Sequence, residues 1–111
     1  MGTTPIATYS QFPGGNTSTL NITAAKVVKG APGCLYRIVV QNAGTSGVLT
    51  INDLAATSGA AAGNQIISLT TAQLTAILAA NGGIITLEWP CLTGIAVTTI
   101  SGGIVIDTSS L

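Results

Sequence analysis

An all-β domain is what this sequence predicts: a single β-sandwich or jelly-roll-like fold of about seven or eight strands, with one short helix near residues 70–80. Three observations carry that prediction. Short apolar and β-branched runs recur along the chain, each bounded by Gly, Pro, Asn or Ser turn signals. Only one stretch, Thr70-Thr71-Ala72-Gln73, has the signature of a helix start. The length, 111 residues, suits one domain with a real core. No repeat at a period of about 20–50 residues is visible, which argues against solenoids and propellers.

Residues 1–16 read as an extended N-terminal arm, and 17–111 as the sandwich. Pro5, Pro13, Gly14 and Gly15 bar a stable helix from the arm and disfavour a central strand. Ile6, Tyr9 and Phe12 recur there at every third position. Two readings stand open: a frayed terminus, or an arm that lays its aromatic side chains on a neighbouring subunit.

Thr19 to Thr23 alternates polar and apolar residues, as a half-buried strand does. Lys26 to Lys29 is a second short strand, followed by the Gly30-Ala31-Pro32-Gly33 turn. Cys34 to Gln41 is apolar on both faces, which suits a central strand or one beneath an interface. Through Gly44-Thr45-Ser46-Gly47 it is expected to form a hairpin with Val48–Asp53. Ala55 to Gly63 is a loop of small residues, and Asn64–Leu69 a further strand.

The helix follows. Thr70 caps it, Gln73 reaches back, Leu74, Ile77 and Leu78 share one face, and Asn81-Gly82 stops it after some two turns. Ile85, Leu87 and Trp89 then share a strand face, and Pro90 is expected to end that strand. Gly94–Ile100 and Ile104–Asp107 complete the set around a tight Ser101-Gly102-Gly103 turn.

Charge is the unusual property. Lys26, Lys29, Arg37, Asp53, Glu88 and Asp107 are the entire inventory, 5% of the chain, with zero net charge and no histidine. An ordinary domain carries about 25% charged residues, and so little charge gives weak protection against self-association. Much of this surface is therefore expected to lie against other subunits. Mean hydropathy is +0.64, yet the uncharged stretch Leu54–Leu87 is broken by Asn64, Gln65, Gln73 and Asn81, so no spanning helix is expected. The first residues lack the basic and apolar regions of a signal peptide. Cys34 and Cys91 are accordingly expected as free thiols.

Chemistry has little to work with. Without histidine the commonest general base and the commonest zinc ligand are both missing. There is no phosphate-cradling GxxxxGK[ST] or GxGxxG loop, and three basic residues do not track a nucleic-acid backbone. No catalytic, cofactor-binding or metal-binding residue is assigned, and no enzyme is expected. Trp89 is placed in the core, and Lys26 and Lys29 at a sheet edge. Arg37, between Leu35 and Val39, has two readings: pairing with a carboxylate across the sheet, or a subunit contact.

The turn Lys29-Gly30-Ala31-Pro32-Gly33, the Ala43-Gly44 connection, Ile51-Asn52-Asp53, Ile85-Thr86-Leu87-Glu88-Trp89-Pro90-Cys91 and Thr93-Gly94-Ile95-Ala96-Val97 together form a pattern. Over residues 24–107 it resembles small structural proteins encoded in the virion gene clusters of tailed bacteriophages. The resemblance implies a capsid decoration or cement subunit, a β-sandwich forming dimers or trimers on the shell. Its partner would be the major capsid protein or another virion protein, within a virion assembled in the host cytoplasm. No nucleic-acid or membrane partner and no cofactor follow from it. Ile6, Tyr9, Phe12 and Arg37 are the candidate subunit contacts. The alternatives are a carbohydrate-recognition sandwich, or a tail or fibre component.

Overall fold

Eight strands pair into two antiparallel sheets of four in a computed structural model that describes residues 17–111. The arm, with Ile6, Tyr9 and Phe12, lies outside the described residues. The strands are β1 (Thr17–Ile22), β2 (Lys26–Lys29), β3 (Gly33–Asn42), β4 (Val48–Asn52), β5 (Gln65–Thr70), β6 (Ile84–Cys91), β7 (Ile95–Ile100) and β8 (Val105–Ser110), with one helix, α1 (Thr71–Asn81), between β5 and β6. The first sheet runs β1-β8-β3-β6 and the second β2-β7-β4-β5. Among the described residues, only β4 and β5 are consecutive strands in one sheet; every other connection crosses the sandwich. That order is a jelly roll.

The expected hairpin between β3 and β4 is therefore not formed: β3 pairs with β6 and β8, and β4 with β5 and β7. The Ser101-Gly102-Gly103 turn likewise carries the chain from one sheet to the other. The two glycine-rich crossings lie against each other. Thr45 N–H donates to Gly102 O at 2.7 Å, and Ser101 N–H to Val48 O at 3.2 Å. A Cβ on Gly47 would stand 2.2 Å from Ser101 O, so the close approach requires glycine there.

Alternation explains the core. Leu35, Ile38 and Val40 of β3, Ile106 of β8, Leu49 and Ile51 of β4, and Ile95 and Val97 of β7 are buried between the sheets. Each contributes about 1.5–3 kcal/mol when withdrawn from water. Leu74 of α1 is buried as well, with Leu78 packed beside it. The capping box forms as expected, with Thr70 N–H donating to Gln73 Oε1 at 2.9 Å, and Gly82 ends the helix at φ 70. The helix runs eleven residues, three turns rather than two, because Leu74 and Leu78 hold it on the core.

Three local expectations fail, each for an identifiable reason. Leu20 is 65% exposed while Ile22 is buried. A bulge between Thr19 and Ile22, with Asn21 at φ 58, reverses the alternation. Pro90 does not end β6, which continues to Cys91. β6 is an edge strand, and there a missing N–H costs no ladder bond. Trp89 is 49% exposed rather than a core residue, since the edge strand leaves one side of its ring without a wall.

Candidate functional site

Two surfaces hold the residues of interest. The first is the outer face of the β1-β8-β3-β6 sheet. Its rows follow from the register: Ser18, Ser109, Arg37 and Thr86 lie side by side, and Asp107, Val39 and Ile84 form the next row. Leu20 projects beside them, and Ile84 is 46% exposed. Hydroxyl and apolar side chains dominate this face.

Arg37 stands in the middle of it, exposed, between Ser109 and Thr86. Among the described residues it forms no ion pair, and two of the three carboxylates are engaged elsewhere. Asp107 accepts Asn21 N–H at 2.7 Å and both of its oxygens take Gln41 Nε2–H at 2.6 Å. Asp53 accepts the N–H groups of Leu92 (2.9 Å), Thr93 (2.8 Å) and Gly94 (3.0 Å). Partial burial pushes the Asp53 carboxyl up, and the three donors outweigh it, leaving the group below its ordinary pKa.

The second surface is a groove of about 220 Å³ at the sandwich edge where β5 and β6 face each other. Ile66, Trp89, Pro90 and Leu92 give it an apolar lining; Asp53, Asn64 and Gln65 stand at its polar side. Leu92 is 82% exposed. The polar side is largely committed to structure. Besides the Asp53 bonds, Asn64 Oδ1 accepts from Asn52 Nδ2 (2.7 Å) and Ala61 N–H (3.0 Å), and Asn64 Nδ2 donates to Gly59 O (3.2 Å). These bonds hold the loop between β4 and β5 closed.

Lys26 and Lys29 lie on β2, an edge strand. Cys34 and Cys91 are free and occupy neighbouring strands, with Cys91 opposite Gly33 and Cys34 opposite Pro90. One step of register puts their side chains on opposite faces, Cys91 inward and Cys34 outward. Burial first, then the Asp53 charge, push the Cys91 thiol up to about 11. Among the described residues, no three Cys, Asp or Glu side chains gather as a metal site would require, and no helix is long and apolar enough to cross a membrane.

The Trp89 groove was not legible in sequence. Its lining comes from β4, the β4–β5 loop, β5 and β6, and the one signal available was an aromatic next to Pro90 at a strand end. Comparisons with protein-family models, with curated proteins and with solved structures give no match for this chain.

Proposed function

We propose that this protein is a non-enzymatic structural subunit of a tailed-phage virion, a decoration subunit that clamps a capsid shell. The observation that carries the reading is the outer face around Arg37: an exposed sheet surface of Leu20, Val39, Ile84, Ser18, Ser109 and Thr86, on a chain with 5% charged residues. Such a face gains by leaving water against a partner of similar character, the major capsid protein or a second copy. The jelly-roll order is compatible with this role, since the fold recurs in viral shells and in lectins.

Magnitude constrains the mechanism. Four strands about 4.8 Å apart and about 20 Å long present roughly 400 Å², half of the about 800 Å² per partner in a standard interface. One face is therefore too small for tight attachment alone. Symmetric repetition over a dimer or trimer turns weak contacts into a lasting hold.

The experiment adds purified protein to shells that lack it and measures retention. Leu20→Lys with Ile84→Lys should leave folding intact and abolish retention. Molar sodium chloride should leave wild-type retention unchanged or higher, because apolar burial is not screened by salt. Release at moderate salt, or retention of the double variant, rejects this reading.

A second reading, carbohydrate recognition, is favoured by one observation: Trp89 stands half exposed beside Asp53, Asn64 and Gln65. It ranks lower because Asp53 and Asn64 already spend their hydrogen bonds on the backbone and on Asn52. The groove is also smaller than the about 300–1,000 Å³ of ordinary ligand pockets. Saturable glycan binding by full-length protein would promote it.

A further inference from the structure

We infer that the Trp89 groove is the seat of the chain's own N-terminal arm, with Tyr9 and Phe12 covering Trp89 and Leu92. The inference stands apart from the shell reading, since it concerns a single chain.

Register carries the argument. Thr17 pairs with Ser110, Ser110 with Leu35, and Leu35 with Trp89. These four residues form one row across the sheet, so the chain enters β1 at the same end of the sandwich as the groove. Three strand spacings separate Thr17 from Trp89, about 14 Å. Phe12 lies five residues before Thr17 and reaches roughly 17 Å; Tyr9 lies eight before it and reaches roughly 27 Å, at about 3.4 Å per residue. Both can arrive. Gly14 and Gly15 sit between them and the domain, where the chain must turn.

Chemistry agrees with reach. Residues 1–16 carry no charged side chain, and the one carboxylate at the groove, Asp53, is already held by three N–H donors. What the groove leaves open is Ile66, Trp89, Pro90 and Leu92, a lining suited to aromatic rings. A segment tethered this closely works at an effective concentration of the order of millimolar, which favours the chain's own arm over a free partner.

Trp89 is the only tryptophan in the sequence, so it reports on its own cover. The measurement is Trp emission and acrylamide quenching for three proteins: the full chain, the chain lacking residues 1–16, and the full-length double variant Tyr9→Ser with Phe12→Ser. Both altered proteins should emit to the red of the full chain and be quenched more strongly, by equal amounts. The full chain's spectrum should not change on dilution. The double variant leaves every strand in place, so far-UV circular dichroism matching the full chain keeps the test valid if the truncated chain misfolds. Superimposable spectra for the full chain and the double variant would overturn the inference. So would a shift that appears only at high protein concentration, which assigns the groove to a neighbour's arm. Emission that responds to added oligosaccharide but not to the arm substitutions would assign it to a sugar instead.

Discussion

Asp107, in the last strand, accepts the backbone N–H of Asn21, in the first, at 2.7 Å. The bond sits where β1 changes faces: Asn21 takes φ 58, Leu20 is turned outward and Ile22 inward. A carboxylate on the outer face thus helps set which apolar residue of β1 is offered to a partner.

Asp107→Ala should lower the unfolding free energy by about 0.5–1.5 kcal/mol, the ordinary net worth of such hydrogen bonds. Asp107→Asn, which keeps an acceptor, should lose less. Urea unfolding measures both; a wild-type midpoint in the Ala variant would show that the bulge holds itself.

Asp53 makes the fold acid-sensitive. Its folded pKa lies below the ordinary value, taken as about 3.9 in the unfolded chain. The stability it contributes is therefore complete above about pH 4 and is lost as pH falls through the lower folded pKa. Asp53→Asn should be less stable at pH 7 and should flatten the acid limb of the stability profile. Parallel profiles for variant and wild type would contradict this.

The thiols should behave differently. Cys91 is buried and its pKa is raised to about 11, so at pH 8 it is a poor nucleophile. Cys34 is only partly covered. A thiol reagent should modify Cys34 in the native protein and Cys91 only in denaturant, two groups in all. Modification that survives Cys34→Ser in the native state, or an intramolecular disulfide, would count against the opposed faces.

Thr108 should be improvable. It is 3% exposed on the inner face of β8, and its hydroxyl has no hydrogen-bond partner. A buried unmet hydroxyl costs about 1–3 kcal/mol, and valine keeps the shape without it. Thr108→Val should raise the thermal midpoint by several degrees, as about 1 kcal/mol does for a domain of this size. A lower midpoint would mean that the hydroxyl is satisfied in solution.

Glycine at the crossing between β3 and β4 should be irreplaceable. Gly47→Ala forces a Cβ to 2.2 Å from Ser101 O, whereas Gly30→Ala meets nothing within 4 Å. The first should destabilise by about 1–3 kcal/mol, the usual cost of overpacking, and the second should stay close to wild type. Equal effects in thermal unfolding would remove the steric explanation.

Local signals were read correctly where the cause itself is local. The Thr70–Gln73 capping box and Gly82 fixed the helix at both ends because capping involves residues three or four apart. Alternation in Leu35–Val40 and the turn residues placed the strands, and with them the all-β class, because pleat and turn geometry are set within a few residues. The near-absence of charge was likewise a property of the sequence alone. Pairing was not. Whether Gly44–Gly47 closes a hairpin or crosses the sandwich depends on which strands compete for β3, and β6 and β8 take both of its sides. The exposure of Trp89 and Leu20 was decided in the same way, by the edge position of β6 and by a bulge held from Asp107, 86 positions away. Strand order joins residues far apart in the chain through hydrogen bonds that any strand can offer. Composition therefore set the kind of domain, and only the assembled sheets determined which side chains face water.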